Sequence, residues 1–219
     1  MSDALSNLTQ AELLALAMDA SRRNDAGHTL AYLKEASGRA DVSPQALFML
    51  ASEYAQLGML PEAKAAMIKS VEAGSNFPLA RFQLGMLHVT SGEIEAAKTA
   101  WAPLGALDPQ HPQAYLATFR RGMLHLVAEE FNAAVQALEE GISQNQDNLP
   151  LSGDMRKIID AVEHLPGHES SRSAASPAAA DAAKQGTEAP TVDAAASAEA
   201  DVEPGHLFIS AYTHGSKPH

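Results

Sequence analysis

The sequence contains no cysteine, which excludes disulfides, thiolate metal sites and a cysteine nucleophile. Aromatic residues make up only 5% of its 219 residues, with a single tryptophan. Alanine is used heavily instead, a balance that favours helices packed closely through small side chains. Basic residues are also scarce, 15 Lys and Arg against 27 Asp and Glu, for a formal charge of −12. Such a chain lacks the basic face that nucleic acid or an anionic membrane surface requires. No apolar run approaches the roughly 18 residues that would span a bilayer. The opening stretch "MSDALSNLTQAELL" has no basic region followed by an apolar core, so no secretory signal is expected and the reading is a soluble, cytoplasmic protein. There is no Gly-rich phosphate loop, no His-Glu-x-x-His and no serine in a nucleophile elbow. The chain is therefore expected to be non-enzymatic, with no cofactor and no metal.

What the sequence does have is a period. Small residues recur at Ala17, Ala51 and Gly85, 34 residues apart, and again at Gly122 after 37. The residue before each is Leu16, Leu50, Leu84 and Arg121, and three residues after each come Ala20, Tyr54, His88 and His125. A helix stop is expected at Asn24, Gly58, Gly92 and Glu129. Beyond each stop lies a second helical stretch with a small residue at Thr29, Ala63, Ala97 and Ala134. A bulky residue follows four positions later: Leu33, Met67, Trp101 and Leu138. This is a pair of helices joined by a short turn, four times over. Glycine inside a helix costs about 0.5–1 kcal/mol relative to alanine. Gly85 and Gly122 are therefore read as positions where the first helix lies closest to its partner. The three residues added before the fourth unit, around Pro109 and Pro112, are expected to lengthen its first helix by nearly a turn.

The spacing Leu-small-x-x-Tyr, then alanine, then a bulky residue resembles the tetratricopeptide repeat (TPR), over about residues 10–148. Ala20, Arg121 and Glu129 depart from the pattern, Glu129 being a poor residue for a turn. The resemblance implies an all-α, right-handed solenoid of four helix pairs. A further helix over about 152–165, with Ser152 as N-cap and Met155, Ile158, Ile159 and Val162 on one face, is expected to cap its open end within a domain spanning 1–167. Residues 168–204 are rich in Ala, Ser and acidic groups, with Val192 and Val202 their only large aliphatics, and are expected to be a disordered linker. That linker carries about −5 of the charge, leaving the helical domain itself acidic. An apolar motif then appears within residues 205–219, in Leu207, Phe208, Ile209 and Tyr212.

In this family the first helix of each unit lines the concave face. The resemblance thus implies a groove lined by Leu14, Phe48, Phe82 and Phe119, three residues before each small position, and by Met18, Ser52, Met86 and Met123, one residue after it. Arg22, Arg81 and Arg120 are placed near the rim. An apolar lining of this kind suits the side chains of a peptide. It does not suit the Lys, Asn and Arg clamp with which some family members grip a chaperone's terminal carboxylate. His88 and His125 stand where Tyr54 stands and are read as packing residues with one hydrogen bond, since neither has a carboxylate at helical spacing. His164 and His168 are separated by the helix-breaking Pro166 and Gly167, and His206, His214 and His219 lie in the tail, so no metal site is expected. The expected function is a protein-interaction adaptor that holds an extended or helical segment in the groove. The alternatives are a cytoplasmic chaperone of secreted hydrophobic proteins, and an enzyme or enzyme-regulating subunit. Residues 205–219 are expected either to dock on the same fold, in this molecule or in a neighbouring copy of an oligomer, or to be read by another protein.

Overall fold

The computed structural model describes residues 5–74 and 76–165. Among these residues the chain forms nine α-helices and no strand: α1 Gln10–Arg22, α2 Ala26–Ser37, α3 Pro44–Gln56, α4 Leu60–Ala73, α5 Pro78–Thr90, α6 Ile94–Trp101, α7 Tyr115–Val127, α8 Phe131–Gln144 and α9 Leu149–Glu163. Consecutive helices pair as α1–α2, α3–α4, α5–α6 and α7–α8, each pair packs on the next, and α9 lies against α8. No helix among the described residues is long and apolar enough to cross a membrane. The linker expected at 168–204 and the motif within 205–219 lie outside the described residues.

The four turns inside the pairs share one geometry. Asn24, Gly58, Gly92 and Glu129 all have positive φ, between 56° and 73°. In each turn the following amide reaches back to the carbonyl five residues earlier: Asp25 to Ala20, Met59 to Tyr54, Glu93 to His88 and Glu130 to His125, at 2.8–2.9 Å. This is the Schellman closure, which satisfies carbonyls that the helix end would otherwise leave open. Glycine adopts the left-handed conformation without strain and asparagine tolerates it, whereas glutamate at φ 59° is strained by roughly 1 kcal/mol. Glu129→Gly is therefore expected to stabilise the protein by about 0.5–1 kcal/mol and Gly92→Ala to destabilise it by about 1 kcal/mol. A urea melt reads both, and opposite signs would show that the turn conformation does not govern stability here.

The repeat positions close the pairs. Ala17, Ala51, Gly85 and Gly122 are buried, as are Thr29, Ala63, Ala97 and Ala134, and the bulky Leu33, Met67, Trp101 and Leu138. A Cβ added at Gly85 would fall 2.0 Å from Trp101 Nε1 and 2.2 Å from its Cε2. The indole brings Nε1 and its neighbouring ring atoms against the bare backbone there and donates from Nε1 to the carbonyl of Phe82 at 2.9 Å. At Gly122 the same atom would meet Leu138 Cδ2 at 2.7 Å and the Leu138 backbone nitrogen at 3.2 Å. Glycine thus allows α5 to approach the one tryptophan and α7 to approach α8 itself. In α1 the pattern is looser: Leu16 is 37% exposed, whereas its counterparts Leu50 and Leu84 are each 7% exposed. The start of α1 is held by a capping box between Thr9 and Glu12.

Two boundaries differ from expectation. The three added residues do not lengthen α7, which at 13 residues matches α3 and α5. They fall between the pairs, because Pro103 has no N–H to continue α6. That helix gives way after Trp101 to a 3-10 turn over Ala102–Ala106 and then to the Pro109–Pro112 loop. Helix α9 begins at Leu149 rather than near Ser152. Its N-cap is Asn148, whose side chain accepts from the Leu151 amide at 3.2 Å, and Pro150 occupies the first turn. Ser152 instead accepts from Asn145 Nδ2 at 2.9 Å inside a buried polar junction between α8 and α9.

Candidate functional site

The direction of each first helix is fixed by its small residue. Gly85 faces α6 through Trp101, and Gly122 faces α8 through Leu138. A residue two positions away lies about 200° round the helix, on the side turned from the partner. In α5 that residue is Gln83 and in α7 it is Arg120. Gln83 is 2% exposed, yet its amide Nε2 has no hydrogen-bond partner, and the same holds for the buried Nε of Arg120. The Arg120 guanidinium rests against Gly105 in the 3-10 turn, where a Cβ would come within 3.0 Å of Nη1. Two adjacent units therefore present a buried, unsatisfied N–H donor at the same repeat position. A buried donor without an acceptor is destabilising by about 1–3 kcal/mol, and few are found in folded proteins.

The expected groove residues surround these donors in the register but are not an open apolar face. Leu14 and Met18 are half-buried. Phe48, Ser52, Phe82, Met86, Phe119 and Met123 are buried, the three phenylalanines completely. Phe48 packs on Phe77 with ring centroids 5.2 Å apart, Phe82 on both Trp101 and Phe119 at 6.1 Å, and Phe119 edge-on to Tyr115 at 5.7 Å. Phe119 also lies against the bare backbone of Gly141, whose added Cβ would meet the ring at 2.3 Å. The expectation that these rings stand open to solvent is corrected accordingly: they form a row tying one unit to the next. Of the rim residues, Arg22 is exposed and pairs with Asp19 at 3.7 Å, while Arg81 and Arg120 are half-buried. Leu207, Phe208, Ile209 and Tyr212 lie outside the described residues.

The histidines have carboxylate partners that helical spacing does not reveal. His88 Nδ1 lies 2.6 Å from Glu93, and His125 Nδ1 pairs with Glu130. Each pair spans five residues because the left-handed turn folds the next helix start back over the histidine. Glu93 also accepts from Lys64 of the preceding pair at 2.6 Å. Lys64, and then His88, hold the Glu93 carboxyl below the usual carboxylate range. No group of three or more His, Asp or Glu among the described residues could hold a metal ion.

Three titratable groups among the described residues are buried, Tyr115, Glu53 and Asp154, of which Asp154 pairs with Lys157 at 3.1 Å. Burial pushes the Tyr115 phenol up to about 12, against a hydrogen bond with Asn148 that acts in the other direction. Glu53, on α3, is 3% exposed, and desolvation raises its carboxyl above the usual range. A carboxyl raised in the folded state opposes folding above its unfolded range, and the penalty fades as the pH falls and the group protonates. Glu53→Gln is thus expected to raise the urea midpoint at pH 7 and to gain progressively less toward pH 4. A lower midpoint at pH 7 would mean that the ionised carboxylate is held by a partner.

A helical-repeat solenoid of the TPR type is the class this architecture defines. Residues 44–73, the α3–α4 pair, match the family model for the tetratricopeptide repeat. A solved structure of a MamA RS-1 ArsTM double mutant resembles the chain with a TM-score of 0.52 at 16% identity, covering 75% of this chain and 89% of that one. No curated protein matches the sequence. The α3–α4 pair is thus matched as a tetratricopeptide repeat, and the chain shares the helical-repeat fold of that solved structure.

Proposed function

We propose that the protein is an interaction adaptor without catalytic activity, which takes up an extended peptide segment on the inner face of α5 and α7. The observation that carries this reading is the repeat architecture itself, helix pairs stacked in series of which the α3–α4 pair matches the tetratricopeptide-repeat model. Gln83 and Arg120 sit at equivalent positions of successive units, on the side of each first helix turned from its partner. An extended peptide offers carbonyl acceptors all along its backbone, and because both donors are closed to solvent in the helical repeat, these would reach them only once the Gln83 and Arg120 side chains turn outward. Met86 and Met123 lie buried beneath that face, where their flexible side chains would adapt to a bound segment.

Peptides selected from a displayed random library on the full chain test the reading. Their affinity is expected to fall at least tenfold for the Gln83→Leu/Arg120→Leu variant, whose circular dichroism should match the parent. Unchanged affinity would remove the inner face of α5 and α7 from recognition. The chaperone alternative has no observation of its own in the structure.

A further inference from the structure

We propose that the open groove between α8 and α9 is a second docking site, separate from the inner face, and that it takes a basic amphipathic helix of another protein. The register of the repeat carries the argument. Helix α9 begins at Leu149 and α7 at Tyr115, 34 residues earlier, so α9 stands as the first helix of a fifth unit. The position held by Ala17, Ala51, Gly85 and Gly122 falls there on Arg156. In α5 and α7 that position meets the second helix of the pair, through Trp101 and Leu138. Ile159, Asp160 and Glu163 follow Arg156 at helical spacing and share its face. Among the described residues no second helix covers this face. It forms instead one wall of a groove of about 630 Å³, whose other wall includes Glu139 and Ile142 of α8.

Shape and charge select the occupant. In the four complete pairs the equivalent face is closed by a helix of 8 to 14 residues, so a helix of similar length fits the same place. The floor is apolar, with Ile142 half-buried and Ile159 8% exposed, while Glu139, Arg156 and Asp160 stand exposed at the rim. Three carboxylates, Glu139, Asp160 and Glu163, face one guanidinium, which leaves the groove negative. No ion pair among the described residues engages Glu139, Arg156 or Asp160. A helix that lays an apolar stripe on the two isoleucines and Lys or Arg flanks against the carboxylates matches both features. The chain's own continuation does not. Residues 168–204 are acidic and hold only Val192 and Val202 as large aliphatics, so they lack a bulky residue like Leu33, Met67, Trp101 or Leu138. Arg156 in place of a small residue also keeps an arriving helix from closing as tightly as α6 or α8, which suits a reversible partner.

Isoleucine methyl spectra of the full chain read the site. The probe is a synthetic helical peptide of about 18 residues with leucines along one face and lysines flanking them. It is expected to shift Ile142 and Ile159 while Ile68 in α4 and Ile94 in α6 stay unmoved. The same peptide with glutamate in place of each lysine is expected to leave all four unmoved. Glu139→Lys/Asp160→Lys should weaken the lysine peptide at least tenfold and Arg156→Glu should strengthen it about threefold. All three residues are exposed, so the circular dichroism of both variants should match the parent. Equal binding of the two peptides, or unchanged affinity in either variant, overturns the proposal. No shift up to millimolar peptide overturns it as well, whether the groove stays open or the chain's own later residues hold it. Movement of Ile142 and Ile159 on dilution of the chain alone places a second copy in the groove and also overturns it. Met86 and Met123 report the inner face in the same spectra, so failure here is distinguishable from failure of the inner-face reading.

Discussion

Gly85→Ala is expected to destabilise the protein by about 2–3 kcal/mol, although alanine is the better helix former. The added methyl would occupy space already filled by the Trp101 indole, 2.0 Å from Nε1. The ring cannot withdraw without giving up its hydrogen bond to the Phe82 carbonyl at 2.9 Å. Overpacking of this sort costs about 1–3 kcal/mol. An indole N–H left unsatisfied adds about 1–3 kcal/mol, and the gain in helix propensity offsets at most about 1 kcal/mol. The cause can be isolated by a double-mutant cycle. In a Trp101→Leu background the clash is gone, so Gly85→Ala should become neutral or stabilising. A penalty of the same size in both backgrounds, read from urea melts, would show that the tryptophan is not what excludes the methyl.

Phe82→Ala is expected to cost more, about 3–5 kcal/mol, the range for truncating a fully buried aromatic ring. Phe82 is 0% exposed and touches rings on both sides, Trp101 in its own pair and Phe119 in the next. Its loss would loosen the stacking between units as well as the pair itself, so the urea transition should also broaden. Replacing Phe48, Phe82 and Phe119 together with serine is expected to unfold the domain rather than merely silence a binding face. A loss below about 1 kcal/mol for Phe82→Ala would mean that the ring is a surface residue after all, and would return it to the groove lining.

The period was legible because it is imposed by steric rules that act on residue type. Small residues must recur where helices cross closely, and Gly85 opposite Trp101 shows the rule at its strictest. The turns were legible at Asn24, Gly58 and Gly92 for the same reason, since those residues enter the left-handed region readily. Glu129 takes the identical conformation without being suited to it. There the repeat geometry overrides local preference, and no reading of Glu129 alone could have shown that. The 3-10 turn was signalled by Pro103, a proline inside a helical pattern, but the prolines at 109 and 112 drew the expected helix start instead.

The site was harder to read. Phe48, Phe82 and Phe119 sit at positions the family uses for its concave surface, yet whether such a ring faces inward or packs on its neighbour depends on a rotation of one residue about the helix axis. Gln83 and Arg120 gave no signal of their own, because a single polar residue on an amphipathic helix normally marks a solvated face. Only their burial without partners distinguishes them. Gly141 was missed because its role depends on Phe119, a residue of the other helix of its pair. The pairing of His88 with Glu93 and of His125 with Glu130 escaped notice because it crosses a turn rather than following a helix.

Recognition on the inner face of α5 and α7 is the central claim, and methionine methyl spectra of the full chain address it most directly. Met86 and Met123 lie in the register of that face, while Met67 and Met155 are buried away from it in α4 and α9. Titration with a library-selected peptide is predicted to shift Met86 and Met123 together, saturating at one peptide per chain, with Met67 and Met155 unmoved. Shifts confined to Met67 or Met155, or saturation without any change at Met86 and Met123, would contradict it.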